Sequence, residues 1–175
     1  MPKLLFLGFV CALLLFGCVQ PPGASGTLNP NGSNPSNQSA GNNAYPTVAL
    51  PASAQGAFGA AKSILPSYIN DSVLVSISGS CDRSGLSSAW QYTYESYNKK
   101  KDFVVTVSDA PSWRDASFSF SSGLPGQWID SVNAASACGG GGECTLEMVS
   151  DAPVWNIIDG QDVCSVDAIS GKVVG

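Results

Sequence analysis

The sequence predicts an α+β fold made of two helix-plus-antiparallel-sheet units, with the helices packed on one face of the sheet. Three observations predict it. Two short stretches carry small and apolar residues at helical spacing, and the stretches that follow each of them alternate apolar with polar residues. The order helix, strand, strand with a leading Trp, turn, strand then occurs twice, from about Pro51 to Val107 and again from about Gln127 to Gly175.

Taken in order, Pro51 to Leu65 places Ala54, Phe58, Ala61 and Ile64 or Leu65 on one helical face, and Pro66 ends the helix. Ser72 to Ser78 alternates, with Val73, Val75 and Ile77 on one side, three serines on the other and Leu74 as the exception. Trp90, Tyr92 and Tyr94 alternate with Gln91, Thr93 and Glu95. The run Asn98 to Asp102 then turns the chain into Phe103, Val105 and Val107, a hairpin with one aromatic face. That face is read as core, not as a ligand platform, and Lys99 to Lys101 as a solvated turn tip that blocks edge association. A turn at Ala110-Pro111 leads to a short strand through Phe118 and Phe120. The second unit opens with a helix from Trp128 to Cys138, stopped by four glycines, and continues with strands at Thr145 to Val149, Val154 to Ile158 and Val163 to Ala168. Trp90 matches Trp155 between the units, and the Lys99 to Lys101 turn matches Asp159 to Asp162. The string Val-Ser-Asp-Ala-Pro also recurs, at Val107 and Val149, but at different places in the two units.

Ahead of these units the chain reads as an exported tether. Residues 1–18 form a signal peptide: Lys3 supplies the positive start, and Leu4 to Val19 is an apolar run near the lower limit for a membrane span. The run ends in Leu15-Phe16-Gly17-Cys18, which resembles a prokaryotic lipobox, with Phe16 departing from the smaller residue usual there. This makes Cys18 the candidate lipidation site, with a retained N-terminal helix as the alternative; either anchor places the rest outside the cytoplasm. Residues 19–48, rich in Pro, Gly, Ser and Asn, bury too little apolar surface to offset their ordering entropy. They read as a spacer that holds the folded part roughly 25–30 Å from its anchor. Asn31, Asn37 and Asn70 stand in formal glycosylation sequons and are read as unmodified polar residues. The globular part divides into 49–122 and 123–175.

With cleavage before Cys18, four cysteines remain: Cys81, Cys138, Cys144 and Cys164. An even set in an oxidising compartment predicts two disulfides, with three pairings open. Gly139 to Gly142 allow Cys138 to close on Cys144, which would leave Cys81 for Cys164. No histidine occurs and no paired short cysteine knuckles are present, so neither a metal nor another cofactor is expected.

Near the end, Val166-Asp167-Ala168-Ile169-Ser170-Gly171-Lys172-Val173 resembles the close of a PepSY module, in which a strand ends in a hydrophobic-Asp-Ala sequence and turns through Ser/Thr-Gly. The Pro153-Val154-Trp155 strand and the helix from Trp128 are similar to the same module, and the first unit matches in element order, with no Ser-Gly after Asp109-Ala110. In physical terms Asp167 accepts from backbone N–H groups two or three residues on, and Gly171 takes the positive φ, so Asp167, Ser170 and Gly171 form a turn motif and not a catalytic one. The resemblance implies a non-enzymatic extracytoplasmic module that binds or restrains another protein, such as a peptidase.

Composition agrees with that class. A formal charge of −5 argues against nucleic acid, whose phosphates require clustered cations. The missing histidine removes the usual general base. The best material for a hydrolase is Asp151, Asp159, Asp162 and Asp167, or Ser63 beside Lys62. Asp159-Gly160-Gln161-Asp162 lacks the spacing of a calcium loop, and adjacent helical residues diverge. The expected function is thus a membrane-tethered binding or regulatory module with a protein partner, and the alternatives are a structural envelope lipoprotein or, last, a hydrolase.

Overall fold

A computed structural model describes residues 45–174; Cys18, the apolar run and most of the spacer lie outside the described residues. Helix α1 (Ala54–Ile64) is followed by β1 (Ser72–Cys81), β2 (Trp90–Ser96), β3 (Lys101–Val107) and β4 (Ser112–Ser117). Helix α2 (Ser131–Cys138) is followed by β5 (Gly142–Val149), β6 (Ala152–Asp159) and β7 (Asp162–Asp167). The strands make one antiparallel sheet in the order β4-β3-β2-β1-β5-β6-β7. Of the two arrangements open from the sequence, successive units or units merged into one sheet, the second is the one observed, with the stretches joined where β1 pairs with β5. Among the described residues no helix is long and apolar enough to cross a membrane.

Register explains why the sheet has a dry and a wet side. Residues directly opposite across strands share a face. One row, Trp113-Val105-Tyr92-Ile77-Leu146-Trp155-Val166, crosses all seven strands without a polar interruption other than the Tyr92 hydroxyl. Both helices pack on this face: Ala54, Ala57, Ala61 and Ile64 of α1 and Ala134 and Ala135 of α2 join the same core as that row. Alanine at the contact lets each helix axis approach closely enough for the large aromatics to fill the space between. The helices are short, 11 and 8 residues. Tyr45 and Val48, at the end of the expected spacer, also pack against this core.

The two tryptophans have equivalent places. The Trp90 indole donates to the Ala52 carbonyl at 2.8 Å and the Trp155 indole to the Ile129 carbonyl at 2.9 Å, each the residue just before a helix N-cap, Ser53 or Asp130. Their rings meet edge to face at 6.2 Å. Gly79 makes room for the first, since a Cβ there would lie 2.7 Å from the Trp90 ring. The helix N-termini also meet: Asp130 Oδ1 accepts from Ser131 N and from Gln55 N of α1, and Ser131 Oγ accepts from Ala54 N while donating to Gly85 O. One Asp-Ser pair thus satisfies orphan donors of both helices.

Several sequence-level expectations are corrected. Strand β1 carries a bulge between Leu74 and Ser76. The extra residue reverses the alternation, so Leu74 joins Ile77 on the core side and Val73 is 37% exposed on the other. Phe118 and Phe120 are not a strand: β4 ends at Ser117, and Phe120 has φ +52°, which breaks extended pairing. Helix α2 starts at Ser131 and not at Trp128, because Asp130 takes the capping position. The disulfides join Cys81 to Cys144 and Cys138 to Cys164, each with a Cα separation of 5.9 Å, instead of Cys138 to Cys144 and Cys81 to Cys164. The glycine run does not close a small ring. Gly139 ends α2 in the left-handed region at φ +69°, and Gly141 lets the chain slide against the backbone of Asp82, where a Cβ would come within 2.3 Å. The run therefore carries the chain from the helix layer into β5, where Cys144 lies beside β1 and faces Cys81.

Candidate binding face

The sheet face away from the helices carries a different pair of rows. The first is Ser112-Thr106-Gln91-Ser78-Thr145-Asn156-Ser165, uncharged hydroxyl and amide side chains from edge to edge. The second is Arg114-Val104-Thr93-Ser76-Glu147-Val154-Asp167. Gln91 and Glu147 are exposed and Thr93, Thr145 and Asn156 half-buried. Local bonds order the surface: Ser165 Oγ donates to Asn156 Oδ1 at 2.7 Å, and Asn156 Nδ2 donates to Glu147 Oε1 at 3.4 Å. Among the described residues no helix covers these rows, so the backbone order of the central strands presents an ordered set of donors and acceptors.

At the β4 end a strap, Phe118 to Leu124, crosses back over the same face. Leu124 N donates to the Leu74 carbonyl at the β1 bulge. Ser119 Oγ donates to Asp102 Oδ2 at 2.7 Å, and Ser121 N to Glu95 Oε2 at 2.7 Å. Glu95, expected to line the open face beside Gln91 and Thr93, is instead fully buried beneath this strap. The alternation does place Glu95 on this face; what covers it comes from 26 residues away. Half-buried Phe118 and exposed Phe120 pack edge-on with Tyr97 at about 6 Å. Burial, and after it the negative charge of Glu95, pushes the Tyr97 phenol up.

Between strap and sheet runs a groove of about 400 Å³, lined by Val75, Ser76, Thr93, Ser121, Glu147 and Asp151 among others. Asp151 reaches it because the β5–β6 connection is a two-residue turn, Ser150 and Asp151 both with positive φ, as tight hairpins require. The groove lining is mostly hydroxyl side chains, with Val75 and Met148 as the apolar members and Glu147 and Asp151 as the carboxylates. This chemistry suits an extended polar segment carrying a cation.

The other residues singled out in the sequence are dispersed. Asp167 Oδ1 accepts from Ile169 N at 3.1 Å and Ser170 N at 2.6 Å, and Gly171 has φ +72°. The Ser170 N–H is the main cause holding the Asp167 carboxyl below the ordinary carboxylate range. Ser63 Oγ donates to the Gly59 carbonyl, and Lys62 lies over the Phe58 ring at 4.4 Å, so the two are turned to separate partners. Lys101 pairs with Asp115 at the β3–β4 edge, and Lys99 lies 5.9 Å from the Tyr68 ring centre. Among the described residues no three of His, Cys, Asp or Glu converge. No protein-family model, curated protein or solved structure matches this chain.

Proposed function

We propose that this chain is a membrane-tethered extracytoplasmic binding module, built as two PepSY-like units merged through β1 and β5, that restrains a peptidase or another envelope protein and performs no catalysis itself. The observation that supports it best is the asymmetry of the sheet. Two helices seal one face, while the opposite face presents seven strands of ordered polar side chains and a groove beside the strap. Fixing such a surface is useful to a binding protein because little side-chain entropy remains to be lost on association. The Leu15-Phe16-Gly17-Cys18 sequence supports tethering through lipid on Cys18, with a retained N-terminal helix serving the same purpose.

A structural envelope lipoprotein without a specific ligand is the second reading. It is favoured by one feature of the same face: the row from Ser112 to Ser165 contains none of the aromatic or arginine anchors that dominate tight protein interfaces.

Photocrosslinking in intact cells separates them. A photoreactive side chain at Gln91 is expected to capture one protein that the same group at exposed Asn133 on α2 does not. Identical products from both positions, or none, would leave the structural reading standing and remove the binding one. Metabolic lipid labelling tests the tether in parallel: the Cys18→Ser variant is expected to lose label, and retention of label removes the assignment of Cys18.

A further inference from the structure

Glu95 and Asp102 stand directly opposite each other on β2 and β3, on the strap side of the sheet. They are 0% and 4% exposed. Each uses one oxygen to hold the strap, Glu95 Oε2 from Ser121 N and Asp102 Oδ2 from Ser119 Oγ. Each leaves its second oxygen, Glu95 Oε1 and Asp102 Oδ1, buried with no hydrogen-bond partner. Among the described residues no Lys or Arg lies within 4.0 Å of either carboxylate: Lys101 is turned to Asp115, and Arg114 is exposed one register row away. Two like charges facing each other across strands repel, and burial without a counter-charge adds a desolvation cost to that repulsion. Buried polar atoms are nearly always paired, so two orphan carboxylate oxygens side by side call for an occupant, and a cation answers both the missing contacts and the like charge.

We propose that Glu95 Oε1 and Asp102 Oδ1 bind a hard divalent cation of the calcium class beneath the strap. Opposed residues on paired strands have Cβ atoms about 4.5–5.5 Å apart, which brings both carboxyl groups within reach of a single ion. Every polar side chain at this position offers oxygen: the two carboxylates, the Ser119 and Ser121 hydroxyls, which lie 3.3 Å apart, and the nearby Tyr97 phenol. Oxygen-only donors select calcium over zinc, copper or iron, and the remaining coordination is water. The ion neutralises the pair and locks the strap to β2 and β3, so it holds Phe118 and Phe120 on the surface and one wall of the groove in place.

The test is thermal unfolding of the full chain, first stripped with chelator, with and without about 10 mM Ca²⁺, a level roughly ten times the weakest dissociation constants of extracellular calcium modules. A rise of about 5 °C in Tm is expected for the wild type. Glu95→Gln and Asp102→Asn, which keep the acceptor to the strap, are expected to lose the rise, and Glu143→Gln at an exposed position away from strap and groove to keep it. A wild-type Tm unmoved by Ca²⁺ overturns the site, as does an equal rise in Glu95→Gln. Stability that ignores Ca²⁺ and responds only to acid marks a shared proton in its place and overturns it too. If neither carboxylate variant folds, equilibrium dialysis of the wild type decides: one bound Ca²⁺ per chain supports the site, and none overturns it.

Discussion

Around Trp90 and around Trp155 the chain builds the same arrangement, an indole on the second strand after a helix, donating to the carbonyl just before that helix's N-cap. The surroundings then diverge. On the β1–β4 side the sheet is extended by β4 and overlaid by the strap, with Glu95 and Asp102 beneath it. On the β5–β7 side the edge strand β7 is fastened to α2 by the Cys138–Cys164 disulfide, and the Asp167 turn brings Lys172 to Val174 back against it, with Val173 bridging Val166. The shared part is what burial of a large aromatic requires; the different parts are two ways of finishing a sheet edge, one with more chain and one with a covalent bond and a tight turn. The difference teaches that the recurring order fixes the core, whereas the surface on each side is independent.

The sharpest way to break this comparison is to remove each indole. Trp90→Ala and Trp155→Ala are each expected to lower the stability of the full chain by about 3–5 kcal/mol in urea unfolding. Trp155 falls at the upper end because its ring meets both Trp90 and Trp128 edge-on, whereas Gly79 lies under Trp90. A loss of under about 1 kcal/mol at either position contradicts the equivalence.

The disulfides sharpen it next. Cys81–Cys144 spans 63 residues and ties the two halves of the sheet, while Cys138–Cys164 spans 26 within one half. Chain entropy assigns about 4.3 kcal/mol to the first and about 3.5 kcal/mol to the second. Paired Cys→Ser variants should unfold in that order of susceptibility, and non-reducing peptide mapping should find these two bridges. Recovery of a Cys138–Cys144 peptide would refute the pairing.

The smallest effect compares two turns held by aspartate. Asp71 accepts from Asn98 N and Ser96 Oγ at the β2–β3 turn, and Asp167 from Ser170 N and Ile169 N after β7. In both, the backbone N–H, of Asn98 or of Ser170, is the largest cause holding the carboxyl below its ordinary value. A carboxyl depressed in the folded state stabilises fully above about pH 4 and loses that contribution as pH falls through its lowered value. Asp71→Asn and Asp167→Asn are thus expected to be less stable than the wild type at pH 7, with the gap closing toward about pH 2. A gap that stays constant across that range excludes the ionised form as its source.

Much of the fold was legible in local pattern. The Ala-rich face of α1, the alternation of Trp90, Tyr92 and Tyr94 and the strand through Trp155 each show their period within a few residues, because a helix or strand repeats its exposure every 3.6 or two positions. The errors came where a distant segment decides. The bulge in β1 depends on pairing with β2; Leu74, the break in the alternation of Ser72 to Ser78, marks the place without specifying a bulge. The glycine run is equally consistent with a small disulfide ring and with a close approach to Asp82, and only the neighbour distinguishes them. In the candidate site, Gln91 and Thr93 were readable as outward residues, but the burial of Glu95 was not, since Ser121 that covers it follows a segment that resembled another strand.

Taken alone, the sequence determined the α+β class, the matched tryptophans, two disulfides among Cys81, Cys138, Cys144 and Cys164, and the turn at Asp167, all consequences of short-range stereochemistry and of residue type. The tertiary structure alone decided that both stretches share one sheet, which cysteines meet, and that two carboxylates lie buried and opposed. Those are relations between segments far apart in the chain, set by strand register and by what crosses over a face, and a linear pattern carries no information about either.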